Sequence, residues 1–355
     1  MSSRRNAGVK EGQGTVDHVP ASAGVPVSLS PEAVPPAVPL GQLEEVLTAY
    51  DLPGPVGLTW LRRGFNDHYE VTAGASRYIL RVYLPDKPYI RSLSDFQAEV
   101  EALNVLALEG LPVSAPVPDR RGNLLTRLEV EGGSRPLALF TYAPGEERRG
   151  RDFTEAAARN LGMTLARIHQ LADERHLGRD RYTLDEEFLV DRPIAALRRA
   201  LGADADGLET YGETLKAGLR HLPRTQGAFG FIHGDLHTGN LRVEHDRCTV
   251  FDFDHGAQGW RAYDLAVLRM SLPDGPWAAL LEAYRSVRPF SEEEEAALPL
   301  LAQVRELWDP GDFLTMLYTG AWGPPTIPEK GLDRIRTQVR GWLDAGSPPS
   351  PEQPS

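Results

Sequence analysis

The chain has 355 residues, of which 41% are hydrophobic and 25% charged, and its formal net charge is −12 at pH 7. This length allows two domains or one bilobal enzyme, and the acidic balance argues against a nucleic-acid-binding protein that neutralises phosphates. The single cysteine, Cys248, excludes an internal disulfide framework and favours a reducing cytoplasm. No apolar run approaches the roughly 20 residues of a membrane span. We therefore predict a cytoplasmic protein without membrane contacts and leave its oligomeric state open.

The two ends of the chain differ in composition from the part between them. Residues 1–40 and 346–355 are rich in proline and small residues and lack a periodic apolar face. We therefore predict a disordered leader and a disordered tail. Between these ends, the sequence pattern changes from short β-rich runs to helical periodicity. We predict a smaller β-rich lobe over residues 41–142 and a larger, mostly helical lobe over residues 143–345, which together form an α+β fold.

The smaller lobe begins with short extended runs between Gly57 and Leu84, which alternate with turns rich in Gly, Asn, Asp and Ser. This pattern predicts a small antiparallel β-sheet that starts as a meander. A helix follows in the stretch SLSDFQAEVEALNVLALEG. Ser94 is its candidate N-cap, Gln97 completes a capping box, and Gly110 ends the helix.

The larger lobe begins with a helical pattern near Phe153. Leu161, Leu165, Ile168 and Leu171 share one face of this helix. Several later segments, among them PIAALRRAL, ALLEAYRSV and GLDRIRTQVRGWL, have the same periodicity. The larger lobe is therefore predicted to be mostly helical.

The stretch FIHGDLHTGNLRVEHDRCTVFDFDHGAQGW, residues 231–260, concentrates the candidate chemistry. Asp235 lies in a loop of Gly and polar residues, and two short strands then flank a turn at residues 245–247, which brings Asn240 close to Asp252. A carboxylate and an amide oxygen side by side suit Mg²⁺, which needs few protein ligands when phosphates supply the rest. Asp235 can then accept a hydroxyl proton, as phosphoryl transfer requires.

The segments HGDLHTGN and FDFD resemble the catalytic motif of the aminoglycoside phosphotransferase and choline kinase family, which is related to the protein kinases. The segment YDLA at residues 263–266 resembles a further family segment, in which Asp264 would brace the catalytic loop from a helix start. The resemblance implies a protein-kinase-like bilobal fold with a small antiparallel β-sheet lobe and a larger helical lobe. It also implies ATP and Mg²⁺ as cofactors.

The resemblance assigns roles to individual residues of the motif. Asp235 would be the catalytic base, and Asn240 and Asp252 would hold the metal. His233 would orient the loop through hydrogen bonds. Asp254 would either touch a second metal or cap the following turn.

A kinase of this kind also needs a cation on the third strand and a carboxylate on the following helix. Arg81 lies where the family usually carries Lys or Arg. On a helical wheel of about 100° per residue, Glu99 falls inside the apolar stripe that includes Phe96 and Val100, whereas Glu101 falls outside it. A buried carboxylate requires a partner, so we predict an Arg81–Glu99 ion pair in the ATP site. The alternative is a Glu99 side chain that reaches solvent.

Two further segments resemble nucleotide-binding parts of the family. The turn RRGFND resembles its short phosphate loop, in which Gly64 permits the bend and Asn66 orients the turn over the phosphates. Neither a G-x-G-x-x-G nor a Walker A sequence occurs. The stretch FTYAPG resembles the interlobe hinge, where the backbone around Thr141 and Ala143 would pair with adenine.

Other functions are compatible with some of these residues. His233, Asp235 and His237, with two later histidines, could form the metal site of a hydrolase. That class gives no role to Asn240 or to the predicted ion pair. A non-catalytic, nucleotide-binding pseudokinase is a third hypothesis, although the three catalytic positions carry competent residues.

The phosphoryl acceptor is the least defined part of the prediction. The family phosphorylates aminoglycosides, choline, homoserine and other small alcohols and, in a bacterial stress-response branch, protein Ser/Thr residues. The acidic balance favours a small, amine-bearing alcohol, with a protein acceptor as the alternative. Asp309 and Asp312, in the stretch WDPGD, are expected at a helix end, where they would wall the acceptor pocket or belong to a turn.

Overall fold

The computed structural model describes residues 38–84, 87–131, 133–320 and 327–345. An antiparallel β-sheet region precedes a mostly helical region, which confirms the predicted α+β class. Residues 1–37 and the predicted tail lie outside the described residues, and helix α1 (Leu40–Leu47) begins at the last residue of the predicted leader. None of the helices in these ranges combines the length and apolarity that a membrane crossing requires.

The first lobe is built on a six-stranded antiparallel sheet. Its strands are β1 (Val56–Arg63), β2 (Asn66–Ala73), β3 (Ser76–Tyr83), β4 (Pro116–Val117), β5 (Thr126–Val130) and β6 (Gly133–Thr141). The strand order is β1-β2-β3-β6-β4, with β5 also paired to β6, and the predicted meander is confirmed as β1–β3. Tyr69 and Leu80 of the meander pack in one apolar cluster with Leu43 of α1. The sheet is therefore covered on that side by α1.

Helix α2 (Leu93–Leu108) follows the meander, but its predicted cap was wrong. Ser92, with extended backbone, is the N-cap, and Asp95 completes the capping box in place of Gln97. The Ser94 amide donates to the Ser92 hydroxyl at 3.3 Å, so Ser94 already belongs to the first turn. Both serines satisfy the sequence signature, and the backbone conformation decides between them.

The second lobe contains α3 (Glu155–Arg175), α4 (Arg192–Leu201), α5 (Leu208–His221), α6 (Arg261–Ser271), α7 (Asp274–Val287), α8 (Glu292–Ala296), α9 (Leu298–Tyr318) and α10 (Glu329–Ala345). Helix α3 packs along α7, and α4 packs along α9. Leu161, Leu165, Ile168 and Leu171, the predicted apolar face of α3, are all buried in the main core. That core also takes in Phe96 of α2, so apolar packing joins the two lobes.

Two small antiparallel strand pairs carry the loops of the candidate site. They are formed by β7 (Phe229–Ile232) with β10 (Ala257–Trp260) and by β8 (Leu241–Glu244) with β9 (Arg247–Val250). The turn between β8 and β9 contains His245 and Asp246, whose φ angles of 48° and 64° match a tight hairpin turn. The hairpin therefore returns the chain to the level of the loop that follows β7.

The stretch WDPGD lies inside α9 and not at a helix end, so that prediction was wrong. Pro310 lacks an amide hydrogen and would ordinarily end or kink a helix. Here α9 continues through Pro310 and packs closely against α4. A Cβ added at Gly311 would lie 2.4 Å from the Cα of Pro193 in α4. Asp309 and Asp312 are consequently carried by a helix of 21 residues instead of a turn.

Candidate active site

The loop after β7 is braced by Asp264 from the first turn of α6. The two carboxylate oxygens of Asp264 accept hydrogen bonds from the amides of His233 and Gly234, each at 2.9 Å. His169 of α3 lies 3.1 Å from the same carboxylate. The His233 ring makes a 3.0 Å hydrogen bond with the Phe251 carbonyl. These contacts confirm that Asp264 braces the loop and that His233 orients it.

Asn240 and Asp252 lie beside each other at the open end of the β8–β9 hairpin. The Phe251 amide donates to the Asn240 carbonyl at 3.1 Å. The side-chain amide of Asn240 donates to the Asp235 carbonyl at 2.9 Å, and its side-chain oxygen accepts no hydrogen bond from the described residues. Asp252 has a φ of 68°, and only one of its carboxylate oxygens is bonded within the described chain, to Arg81 at 2.9 Å. Two hard oxygens are thus free, which fits a divalent cation.

Asp235 is held by an arginine that the sequence interpretation missed. Arg305 Nη2 of α9 donates to Asp235 Oδ1 at 2.6 Å. Asn240 Nδ2 lies 3.3 Å and His237 Nε2 lies 3.8 Å from the other oxygen. Burial by itself would raise the pKa of Asp235, but the Arg305 guanidinium, with nearby histidines, outweighs burial and holds that pKa well below its usual range. The carboxylate is therefore ionised.

The predicted ion pair between β3 and α2 is present. Arg81 Nη1 donates to Glu99 Oε1 at 2.6 Å, and Arg81 Nη2 donates to Asp252 at 2.9 Å. The Glu99 side chain is fully buried, which excludes the alternative in which it reaches solvent. Burial raises the pKa of Glu99, and the Arg81 charge opposes that rise. The arginine links α2 of the first lobe to the metal-site candidate of the second.

Asp254 is engaged by the first lobe. Lys87 Nζ donates to both carboxylate oxygens of Asp254, at 2.8 and 2.7 Å, and the Tyr89 hydroxyl donates to one of them at 3.2 Å. Lys87, in the connection between β3 and α2, is buried, and the sequence interpretation missed it. Its ammonium balances the Asp254 charge, so the carboxylate is partnered by a lysine and a tyrosine and does not cap the following turn.

The predicted nucleotide-binding segments have ordered backbones. The Gly64 amide donates to the Asn66 carbonyl at 2.9 Å, which closes the turn between β1 and β2. Asn66 is buried, and its side-chain oxygen has no partner in the part of the chain described. The Thr141 amide donates to the Ala115 carbonyl at 2.8 Å. The Thr141 amide is therefore engaged within the first lobe, and the nucleotide roles of Gly64, Asn66, Thr141 and Ala143 stay predictions.

One face of α9 borders the catalytic loop. Arg305, Trp308, Asp309 and Asp312 follow the i, i+3, i+4, i+7 spacing of a single helix face. Arg305 contacts Asp309 at 2.7 Å, and its guanidinium carbon lies 4.6 Å from the Trp308 ring centroid. The His255 ring lies 4.9 Å from the Trp308 ring, and its Nε2 is 4.0 Å from Asp312. This face reaches from the candidate base to a group of aromatic rings.

Of the two carboxylates on this face, Asp312 is buried, whereas Asp309 keeps 23% of its side-chain surface exposed. Burial raises the pKa of Asp309 to about 6, although Arg305 opposes the rise, and burial raises the pKa of Asp312 well above its usual range. Asp312 Oδ2 has no hydrogen-bond partner among the described residues. A small cavity beside Asp312 is lined by Tyr89 and Phe188, among other side chains. Carboxylates among aromatic rings suit a cationic ligand.

The histidines of this region are not gathered into a metal site. His233 contacts a backbone carbonyl, His245 lies in the turn between β8 and β9, and His255 packs among aromatic rings. Across residues 38–84, 87–131, 133–320 and 327–345, no three or more His, Cys, Asp or Glu side chains are arranged to hold a metal ion. The geometry thus gives no support to the hydrolase hypothesis.

Comparison with known sequences identifies relatives of the chain. The family model described as the phosphotransferase enzyme family matches residues 61–298. An uncharacterised protein of Deinococcus radiodurans is 36% identical over 276 residues, which cover 74% of this chain and 78% of that protein. Amicoumacin kinase of Bacillus subtilis is 30% identical over 217 residues, which cover 58% of this chain and 64% of that protein.

Solved structures share the fold. An amicoumacin kinase in complex with AMP-PNP, Ca²⁺ and Ami has a TM-score of 0.69 at 21% identity, over 85% of this chain and 93% of that chain. A microcompartment-associated aminopropanol kinase has a TM-score of 0.67 at 22% identity, over 86% of this chain and 95% of that chain. These similarities confirm the predicted kinase-like bilobal fold. The chain therefore belongs to the phosphotransferase enzyme family, and it is a phosphotransferase with an alcohol group as acceptor.

Proposed function

We propose that this enzyme transfers the γ-phosphoryl group of ATP to the hydroxyl group of a small, amine-bearing alcohol, with Mg²⁺ as its metal. The observation that carries the proposal is the convergence of Asp235, Asn240 and Asp252 around one loop and one hairpin. Phosphoryl transfer needs a base for the nucleophile and a metal that neutralises the phosphates. The related structure that contains AMP-PNP and Ca²⁺ supports a nucleotide and a divalent cation in such a site.

The first lobe supplies the nucleotide contacts in this proposal. Arg81 provides the positive charge for the phosphates, and Glu99 keeps its side chain in place. Gly64 and Asn66 form the turn that would cover the phosphates. The backbone at residues 141–143 would pair with adenine, as in other interlobe hinges of this fold.

Asn240 and Asp252 would hold Mg²⁺. Each has one side-chain oxygen without a partner among the described residues, and the two residues are adjacent through the hairpin. A bound cation would neutralise charge on the phosphates during transfer. Asp252 also contacts Arg81, and this contact fixes the position of the phosphate-binding arginine relative to the metal site.

Asp235 accepts the proton of the acceptor hydroxyl while the new O–P bond forms and the bond from the γ-phosphorus to the ADP leaving group breaks. The transition state of phosphoryl transfer is loose, so positioning of the nucleophile and charge stabilisation contribute more than the strength of the base. An ionised carboxylate with a low pKa therefore suits this role. Asn240 donates to the backbone and side chain of Asp235 and thereby couples the base to the metal site.

The face of α9 supports an amine-bearing acceptor. Asp312 is buried and Asp309 is partly buried; Asp309 shares the Arg305 guanidinium with the proposed base, Asp235. An ammonium group would offset the burial that raises the pKa values of both carboxylates. The names of the amicoumacin and aminopropanol kinases are consistent with this acceptor class.

The acceptor can be identified with a panel of hydroxyl compounds and a coupled measurement of ADP release. The panel contains 1-amino-2-propanol, choline, homoserine, an aminoglycoside and casein. We expect ADP release with at least one small amine-bearing alcohol, loss of activity after chelation of divalent metal, and recovery on addition of Mg²⁺. If casein were the only compound phosphorylated, the small-molecule proposal would be wrong and a protein acceptor would be supported.

The role of Asp235 can be tested with the Asp235→Asn variant. Asparagine keeps the size of the side chain but cannot accept the hydroxyl proton, so we expect kcat to fall by at least about 10²-fold. The affinity for AMP-PNP, measured by calorimetry, should stay close to that of the wild type. Asp246→Asn makes the same chemical change in the β8–β9 turn and serves as the control. A variant with unchanged kcat would show that another group is the base.

A further inference from the structure

We infer that Arg305 is a positioning residue that holds the carboxylate of Asp235 in place for phosphoryl transfer. The inference rests on the proposed role of Asp235 as the base. It assigns a function to a side chain of α9 that neither touches the predicted nucleotide site nor belongs to the catalytic motif.

The Arg305 guanidinium bridges two carboxylates. Its Nη2 lies 2.6 Å from Asp235 Oδ1 and 2.7 Å from Asp309 Oδ1, and its Nη1 lies 3.4 Å from the Gly234 carbonyl. The arginine side chain is only 8% exposed, and it stacks against Trp308. Asp309 and Trp308 belong to the same helix as Arg305, so contacts within α9 hold the guanidinium beside Asp235.

Among the described residues, Arg305 makes the shortest side-chain contact with Asp235, at 2.6 Å. The alternative partners are weaker: Asn240 Nδ2 lies 3.3 Å away, and His237 Nε2 lies 3.8 Å away. Charge-assisted hydrogen bonds to arginine are short and directional. Asp235 lies in a loop between two short strands, whereas Arg305 lies within a helix of 21 residues. Without the arginine, the Asp235 carboxylate would lose its direct contact with α9 and keep only the longer contacts with residues of its own loop.

The existing contacts of Arg305 favour positioning over acceptor binding. Nη2 already serves two carboxylates, and Nη1 has a backbone carbonyl within reach. A guanidinium engaged in this way acts on the reaction through Asp235. Displacement of the reactive group by 1 Å can cost about 10²-fold in rate, which is the effect expected from its loss.

The first experiment compares steady-state kinetics of Arg305→Met, Arg305→Lys and Arg288→Met with 1-amino-2-propanol as acceptor. Arg288 is a matched control because it is equally buried and is ion-paired with Asp173 at 2.7 Å outside the site. We expect Arg305→Met to lower kcat by about 10²-fold while the KM for ATP changes by less than about threefold. The kcat of Arg305→Lys should be roughly tenfold higher than that of Arg305→Met. Lysine keeps the positive charge but cannot bridge Asp235 and Asp309 as the guanidinium does. Arg288→Met should lower the melting temperature and leave kcat close to the wild-type value.

A double variant separates this inference from the proposed function. If Arg305 acts through Asp235, then Asp235→Asn combined with Arg305→Met should be no slower than Asp235→Asn alone. Multiplicative losses would overturn the inference, as would a kcat of Arg305→Met within threefold of the wild type. An Asp235→Asn variant with wild-type kcat would instead overturn the proposed function.

Crystal structures of the wild type and Arg305→Met with AMP-PNP give a test that needs no acceptor. We expect one position of the Asp235 carboxylate in the wild type and a rotated or multiply placed carboxylate in the variant. An identical, singly placed carboxylate in both structures would overturn the inference. If Arg305→Met does not fold, Arg305→Lys provides the same comparison.

Discussion

Asp264 illustrates how one buried side chain can organise a catalytic loop. It accepts hydrogen bonds from the amides of His233 and Gly234, and it also contacts the ring of His169. His169 is fully buried and makes a second hydrogen bond, of 2.8 Å, with the Tyr284 hydroxyl. A histidine with both nitrogens engaged in the core is a structural residue, and it keeps Asp264 in position from α3.

The burial of His169 predicts a pH dependence of stability. Burial lowers the pKa of His169 to about 4, Arg261 and Arg288 add to that effect, and Asp264 opposes it. Since the unfolded histidine titrates near 6.5, the unfolded state takes up the proton first as the pH falls. The contribution of His169 is therefore complete above about pH 6.5 and is lost towards pH 4, with a decrease of about 2 kcal/mol between pH 7 and pH 5.

Urea unfolding of the wild type and His169→Gln at pH 7 and pH 5 measures this contribution. The variant should be less stable at pH 7 but should lose about 2 kcal/mol less than the wild type between the two pH values. His221→Gln, at an exposed position on α5, controls for the removal of a histidine elsewhere. Equal losses for the wild type and His169→Gln would contradict the prediction.

At the scale of elements, the connection between β6 and α3 is hydrogen-bonded to β8, next to the candidate metal site. Glu146 and Val243 exchange two backbone hydrogen bonds, of 3.1 and 2.8 Å. Gly145 has a φ of 92°, and a Cβ at this position would lie 2.4 Å from the Val243 carbonyl oxygen. The segment that joins the two lobes therefore has room only for glycine at this point.

Gly145→Ala should consequently cost more stability than a glycine replacement at an open turn. Gly122 has a similar φ of 87° and no atom within 4 Å of an added Cβ. Gly122→Ala should cost about 1–2 kcal/mol from backbone strain alone, whereas Gly145→Ala should cost about 1–3 kcal/mol more because β8 must shift. Urea unfolding measures the loss of unfolding free energy in each variant. Equal losses would show that the close approach to Val243 does not contribute to the cost of Gly145→Ala.

At the scale of the whole molecule, ion pairs beside the candidate metal site join the two lobes. Arg81 and Lys87 of the first lobe contact Asp252 and Asp254 of the second lobe, at 2.9 and 2.7 Å. All four side chains lie close to the candidate metal site. Ligands that bind there would therefore contact both lobes and stabilise their arrangement.

AMP-PNP with Mg²⁺ should raise the melting temperature of the protein. A ligand at 100 times its dissociation constant stabilises the folded state by about 2.7 kcal/mol. Asp252→Asn removes a carboxylate from the candidate metal site, so its melting temperature should rise much less with AMP-PNP and Mg²⁺. Asp246→Asn, at the other end of the same hairpin, should behave like the wild type. Equal shifts for all three proteins in scanning calorimetry would exclude Asp252 as a metal ligand.

The sequence by itself determined the fold class, the family and the local geometry of the candidate site. The spacing of Asp235 and Asn240 and the hairpin that returns the chain to Asp252 depend on neighbours along the chain. Helical periodicity placed Glu99 on the buried side of α2, and the cost of an unpaired buried carboxylate required a cation, which is Arg81. These rules act over a few residues, so they can be applied without a structure.

Tertiary structure decided which distant side chains complete the site. Arg305 meets Asp235 across 70 residues, and Lys87 meets Asp254 across 167 residues. The chain has 38 lysines and arginines, and no local pattern marks the two that make these contacts. Helix α9 also continues through Pro310, with α4 packed against it, despite a residue that would ordinarily end a helix. Periodicity predicts which face of a helix or strand is buried. Which other element packs against that face depends on the packing of the whole chain.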